Sequence, residues 1–290
     1  MAKLSYLEKV AAGITLFDGA MGTMLYDKGV FINRCFEEVN ISSPNLVSGI
    51  YKEYVDAGAQ VLTTNTYGAN RVNLKGYNLG DKISDIISAG VKLAREAAGE
   101  DLYVAGSIGR APEGTPANIE IDALKEQAEF LIDNGVDLIL FESFSNIDIL
   151  LEICEVVKNI SNIPIQAQFT LPPVAPSEYL KLGRLYAQKL DRSKYTDVIG
   201  INCTMGPSEM LDILKDTINF IHKPFSVIPN SGHPKVVDGR QIYLSTPEYF
   251  AEYAKRFLDG GASVIGGCCG TGPEHIQKMA DAVLNLNRGY

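Results

Sequence analysis

Eight short apolar runs recur along the chain, each followed by a polar or glycine-rich turn and then by a longer stretch of helical period. They are "ITLF" (14–17), "QVLTTNT" (60–66), "LYVAGSIG" (102–109), "DLILFES" (137–143), "PIQAQFT" (164–170), "DVIGINC" (197–203), "FSVIPNSG" (225–232) and "SVIGGCC" (263–269). Short, continuous and rich in β-branched residues, such runs suit strands buried on both faces, as in a parallel sheet. The stretches between them carry helix signals. "SPNLVSGIYKEYVDAG" offers Ser43 as N-cap, Pro44 at the first helical position and Gly58 at the close. "DALKEQAEFLIDNG" repeats the scheme with Asp122 and Gly135, and "STPEYFAEYAKRFLDGG" starts at Pro247 and ends on a glycine pair. Eight strands alternating with helices, with no linker or low-complexity segment, predict a single (β/α)8 TIM barrel domain over 1–290. A doubly wound open sheet is the alternative, because the pattern does not reveal strand order. Residues from Asp18 to about Pro44 form a long first loop, and long loops in compact domains are often functional.

In a barrel, chemistry belongs at the C-terminal ends of the strands. That singles out Asp18, Asn65, Glu142, Cys203, Asn230, Cys268 and Cys269, each at or just after such an end. Cys203 ends the sixth run and the cysteine pair ends the eighth, so three sulfurs can converge on one rim. Adjacent strand residues point to opposite faces, so both paired thiols face one metal only if the backbone leaves extended geometry. Gly266, Gly267 and Gly270 make that departure sterically cheap. Three thiolates with one open position make a catalytic rather than a closed structural zinc. A Zn²⁺ so ligated carries a net negative charge and activates water feebly. It still strips the proton from an incoming thiol, which suits attack by a substrate sulfur on an electrophilic carbon. The simpler readings are buried filler for Cys203 and a vicinal disulfide for the pair. Cys154, inside a helical stretch, reads as core, and Cys35 has no comparable context.

A carboxylate closing the apolar run "DLILF" must be paired or serve a ligand, so Glu142 and Asp18 are candidates to hold an ammonium group. Asp18 alone could equally shape a turn. His222 and His275 read as surface residues, whereas His233 in "PNSGHP" lies close enough to the rim to be a candidate lining residue. Two rival functions start from the same residues. "GGCCGTG" could cradle a phosphate, as in a barrel isomerase or aldolase, but that leaves the cysteines unexplained and supplies no Schiff-base lysine at a strand end. A zinc-holding or corrinoid-interacting subunit without its own catalysis is opposed only by the rim carboxylates.

Charge narrows the partners. Of 290 residues, 26 are Lys or Arg and 35 Asp or Glu, giving a net charge of −9 with no basic run, which argues against nucleic acid or an anionic membrane. The start, "MAKLSYLEKVAAG", has no apolar core of signal-peptide length, and no later run approaches a membrane span, so a soluble cytoplasmic protein is expected. Five cysteines are too few, and odd in number, for a disulfide framework.

Taken together, "FDGAMGTML", "TNTYGAN", "FESFSNIDIL", "GINCTMGP", "PNSGHP" and "GGCCGTGPEHI" resemble the homocysteine S-methyltransferase family, in order and over nearly the whole chain. The likeness is to the homocysteine module of cobalamin-dependent methionine synthases and, through "NRCFEEVN", of bifunctional homocysteine methyltransferase/methylenetetrahydrofolate reductases. It implies a barrel with Zn²⁺ on Cys203, Cys268 and Cys269 and homocysteine sulfur as fourth ligand. It further implies that Asp18 and Glu142 hold the substrate amino group, and that backbone around Gly19 and Ala20, with Thr64, lies near its carboxylate. Asn230 matches an asparagine that occupies the zinc when substrate is absent. The sequence departs from the long family members in carrying no cobalamin signature or folate module. Corrinoid or folate then enters only through a partner or a further module. The expected methyl donor is a methylated corrinoid protein, ultimately supplied from methyltetrahydrofolate, with a sulfonium such as S-methylmethionine as the alternative.

Overall fold

In a computed structural model, which describes residues 3–203, 205–237 and 240–287, eight parallel strands form one barrel. The barrel strands are β1 (Thr15–Leu16), β2 (Val61–Thr63), β3 (Tyr103–Ile108), β4 (Leu138–Phe144), β5 (Ile165–Phe169), β6 (Val198–Asn202), β7 (Phe225–Ile228) and β10 (Val264–Ile265). Hydrogen bonding runs β1-β10-β7-β6-β5-β4-β3-β2, and a parallel bridge between Phe17 and Val61 closes the ring. The (β/α)8 architecture is therefore as the alternation implied, and the open sheet is excluded by closure. One element escaped that pattern: an antiparallel pair, β8 (Lys235–Val237) with β9 (Arg240–Ile242), inserted after β7.

Twelve helices accompany the strands among the described residues: α1 (Tyr6–Ala12), α2 (Met21–Asp27), α3 (Val39–Ser42), α4 (Pro44–Asp56), α5 (Arg71–Lys75), α6 (Ile83–Ala98), α7 (Ala117–Asp133), α8 (Ile147–Ile160), α9 (Pro176–Arg192), α10 (Pro207–Thr217), α11 (Pro247–Asp259) and α12 (Pro273–Asn287). Two expected caps are corrected. Ser43 precedes α4 but makes no side-chain capping bond, and Pro44 alone marks the start. Asp122 lies inside α7, which begins five residues earlier at Ala117, directly after Pro116. Proline cannot donate a helical N–H, so Pro116 is the boundary the chain uses. The long first loop also holds local structure, namely α2 and α3.

Two apolar layers follow from strand alternation. Outward-facing residues such as Leu62, Val104, Ile139 and Phe141 meet the helices, while inward-facing Val61, Ala105, Leu138, Leu140, Val198, Ile228 and Val264 fill the barrel. Helix α1, fixed by a reciprocal Ser5–Glu8 capping box, plugs the lower end. Its Tyr6 ring meets Phe17 and Tyr103 edge-on, and its hydroxyl donates to Gln166. The opposite end is left open for ligands. Among the described residues no helix is long and apolar enough to cross a membrane.

Candidate active site

At that open end lies a cavity of about 320 Å³. Phe17, Leu140 and Ile228 belong to its lining and to the barrel interior, so the top of the apolar filling forms its floor. Its walls include Asp18, Gly19, Ala20, Thr64, Asn65, Glu142, Cys203, Cys268 and Cys269, and the structure thus gathers most of the residues singled out from sequence.

The ligand atoms of Cys203, Cys268 and Cys269 all lie within 4.8 Å of one another, with 3.9 Å between the Cys203 and Cys269 sulfurs. A tetrahedral zinc with bonds of about 2.3 Å sets its sulfurs about 3.8 Å apart, so the cluster fits that metal. Local backbone makes the convergence possible. Cys203 sits at φ +58°, in the left-handed region uncommon for non-glycine residues, and its carbonyl accepts from Met205 N–H at 2.7 Å. Beyond β10 the chain turns: Thr271 N–H donates to Cys268 O at 3.1 Å, and Asn230 Oδ1 accepts the Cys269 N–H at 3.1 Å. Of the three glycines expected to ease this turn, only Gly270 takes a positive φ, +78°, where a Cβ would also strike the Tyr243 ring. Gly266 and Gly267 serve close packing instead, their missing Cβ space being taken by Phe17 and Thr271. Without metal Cys268 and Cys269 resist ionisation. The hydrogen bond with Cys203, then burial, pushes Cys269 up to about 12.

Each carboxylate is held by residues at the ends of other strands. Asp18, 4% exposed, accepts from Thr63 twice, at N–H and at the hydroxyl, both 2.8 Å. Glu142 accepts from the Ser107 hydroxyl and, at 3.3 Å, from Asn202 Nδ2. A register shift in β4 between Phe141 and Phe144, with Ser143 at φ +63°, brackets Glu142 and sets its direction. Burial raises both acids to about 7, partly opposed by the Thr63 bonds for Asp18 and the Ser107 bond for Glu142. Among the described residues no Lys or Arg lines the cavity, so an incoming cation would meet unneutralised acids.

The remaining candidates divide. Thr64 lines the cavity, but its hydroxyl accepts from Ser107 N–H at 3.0 Å and bonds Thr66 Oγ1 at 2.7 Å. Since Thr66 donates to Ser107 O, the proton between the two threonines comes from Thr64. Ala20 N–H is likewise spent on Thr271 O. Asn65 donates through Nδ2 to Phe36 O and Asn40 Oδ1. His233 is exposed, pairs with Glu209 at 3.2 Å and is not part of the lining. His222 is exposed as expected, whereas His275 is half-buried, accepting Gly272 N–H at Nδ1 and bonding Ser245 O through Nε2. It ties two loops together rather than facing solvent. Cys154 is core. Sequence reasoning missed Thr63, Ser107 and Asn202, which hold the carboxylates, and Glu37 and Tyr67 in the walls. For Thr63, Ser107 and Asn202 the available signal was a position at or near a strand end inside a recognised run, whereas Tyr67 follows β2 in "TNTYGAN" and Glu37 sits in the first loop, in "NRCFEEVN".

A parallel barrel with three convergent thiols and two buried acids at its mouth belongs to the class of thiol-handling barrel proteins with a metal-competent rim. The family model described as homocysteine S-methyltransferase matches residues 15–283, and the chain belongs to that family. Methionine synthases of Mycobacterium leprae and Mycobacterium tuberculosis are 32% and 31% identical over 98% and 97% of this chain. The chain spans 25% and 26% of the length of these curated relatives. Among solved structures, the metallated homocysteine methyltransferase MmuM from Escherichia coli superposes with a TM-score of 0.76 at 23% identity, covering 93% of this chain and 96% of that one. The carboxyl transferase domain of Rhizobium etli pyruvate carboxylase gives 0.56 at 12% identity, covering 97% of this chain and 49% of that one, a likeness of fold alone.

Proposed function

We propose that this chain binds Zn²⁺ on Cys203, Cys268 and Cys269 and methylates the sulfur of homocysteine to give methionine. The observation that carries the reading is the joint presence of three convergent sulfurs and two cation-seeking carboxylates in one cavity. Zinc, when bound, supplies Lewis acidity that removes the thiol proton and keeps the substrate sulfur nucleophilic. The chain's own residues do the rest. Asp18 and Glu142, aimed by Thr63 and by Ser107 and Asn202, take the ammonium group and so orient the substrate. The substrate carboxylate falls to the backbone at Gly19, because the Ala20 N–H is spent on Thr271 O. Thr64, whose hydroxyl is committed, forms wall there. The apolar floor of Phe17, Leu140 and Ile228 excludes water from the reacting sulfur.

For the methyl donor, a methylated corrinoid on a partner or further module fits best, because a methyl on the tertiary amine of methyltetrahydrofolate needs an acid to leave, and the two raised acids of the rim, Asp18 and Glu142, are committed to the substrate ammonium. A specific observation favours a second reading. With no Lys or Arg in the lining, the cavity suits a cationic sulfonium donor such as S-methylmethionine. Zinc-loaded protein assayed with homocysteine and, separately, methylcobalamin, S-methylmethionine and methyltetrahydrofolate tests both. Methionine from either of the first two supports the function and selects the donor. Efficient turnover with methyltetrahydrofolate alone would prove the donor assignment wrong, and no methionine from any donor would overturn the methyl transfer.

A further inference from the structure

The first loop is fastened across the cavity at two places. The inner one is buried: Asn40 and Asn65 exchange side-chain and backbone hydrogen bonds at 2.9 Å, and Asn65 also holds Phe36 O at 2.7 Å. The outer one is Glu37. Its Oε1 accepts the backbone N–H of Gly68 at 2.7 Å, and its Oε2 accepts the Cys35 thiol at 3.2 Å. Burial pushes that thiol up to about 12, so it remains a donor. Phe36 and Glu37 line the cavity, and Glu37 also borders a neighbouring groove with Gly68, Asn73 and Tyr77. The carboxylate is thus a partition between the two. Further out, Phe31 and Ile32 are 74% and 72% exposed, so this end of the loop gains little from burial and depends on its polar fastening.

We propose that Glu37 is a positioning residue: by clasping the first loop to Gly68 it keeps the wall of the substrate pocket in place and so sets homocysteine affinity without touching the metal. The inference rests on the reading that this cavity takes homocysteine. A clasped and an unclasped loop form a two-state equilibrium, and the apparent dissociation constant rises as the clasped fraction falls. Gly68 allows the clasp to be opened from its other side. A Cβ there would lie 2.7 Å from Glu37 Oε1, whereas the Gly68 backbone is not left-handed and accepts alanine.

The test uses zinc-loaded protein with two readouts, homocysteine affinity by calorimetry and the rate of tryptic cleavage after Arg34 in the absence of ligand. Glu37→Ala and Gly68→Ala should each weaken homocysteine about tenfold, the scale of one charge-assisted hydrogen bond, and speed cleavage, with zinc content unchanged. Glu37→Gln keeps an oxygen acceptor for Gly68 and should restore most of both. In the double variant Gly68→Ala should add nothing to Glu37→Ala, because the clasp is already open. Unchanged cleavage in both single variants overturns the clasp, and faster cleavage with wild-type affinity overturns its role in the pocket. Fully additive effects in the double variant also overturn it. Wild-type protein that fails to bind homocysteine sinks the parent reading instead, and the cleavage rates then decide the clasp alone.

Discussion

Asn230 Oδ1 accepts the backbone N–H of Cys269 at 3.1 Å, while its own N–H donates to Met205 O two residues beyond Cys203. One residue thereby braces both arms of the cysteine cluster, the Cys203 arm through its backbone and the Cys269 arm through its side chain, and only the second hold is lost on truncation. Outer groups that orient ligands typically matter 10–100-fold in metal affinity, so Asn230→Ala should weaken zinc by roughly that factor in chelator competition. If Asn230 also serves as a metal ligand without substrate, the loss should shrink once homocysteine is bound. Wild-type zinc affinity in the variant, with and without homocysteine, would separate Asn230 from the site.

On the proposed zinc reading, the three sulfurs act as one site or not at all. Cys203→Ser and Cys269→Ser should each abolish stoichiometric zinc in metal analysis, since their sulfurs stand 3.9 Å apart as two corners of one polyhedron. Homocysteine binding to the zinc-loaded wild type should release a proton near neutral pH, because a thiol of pKa about 8.5 arrives protonated. Calorimetry in buffers of different ionisation enthalpy counts it. Full zinc retention in both variants would sink the cluster as the metal site.

Glu142→Gln should weaken homocysteine by about 1.5–3 kcal/mol, the worth of a charged hydrogen bond, and leave zinc in place. A simple alkyl thiol without an amino group should bind wild type and variant alike. Equal homocysteine affinity in the two proteins would refute the ammonium role and leave a general thiol site.

Stability should depend on pH with an unusual sign. Asp18 and Glu142 are both raised to about 7 in the folded state. Between roughly pH 4 and pH 7 the folded protein then holds protons that the unfolded chain has released, so these groups make stability fall as pH rises. Asp18→Asn should flatten that fall and melt above wild type at about pH 8 in metal-free, ligand-free protein, while the zinc-loaded variant binds homocysteine poorly. Thermal melts from about pH 5 to about pH 8 give the comparison. A wild-type-like slope in the variant means that Asp18 is ionised throughout.

What the sequence determined by itself was local. Run length, β-branching and the regular return of helical stretches identified eight strands, and hence the ends at which Asp18, Glu142, Cys203, Cys268 and Cys269 stand. Side-chain type at those ends announced a thiol-rich, acidic rim, because a carboxylate closing an apolar run is costly to place there without a partner, and cysteines ending the sixth and eighth runs put three sulfurs on one rim. What the tertiary structure decided was direction and partnership. Ser107 and Glu142 are 35 residues apart in the chain, and Cys203 and Cys269 are 66 apart. Only barrel closure and strand register make them neighbours. The left-handed turn at Cys203, the register shift beside Glu142 and the reach of Glu37 to Gly68 are equally absent from any periodic pattern. Periodicity records which face of an element is buried. The partner across a gap is chosen by how separate elements close around a common core, and that choice has no period to read.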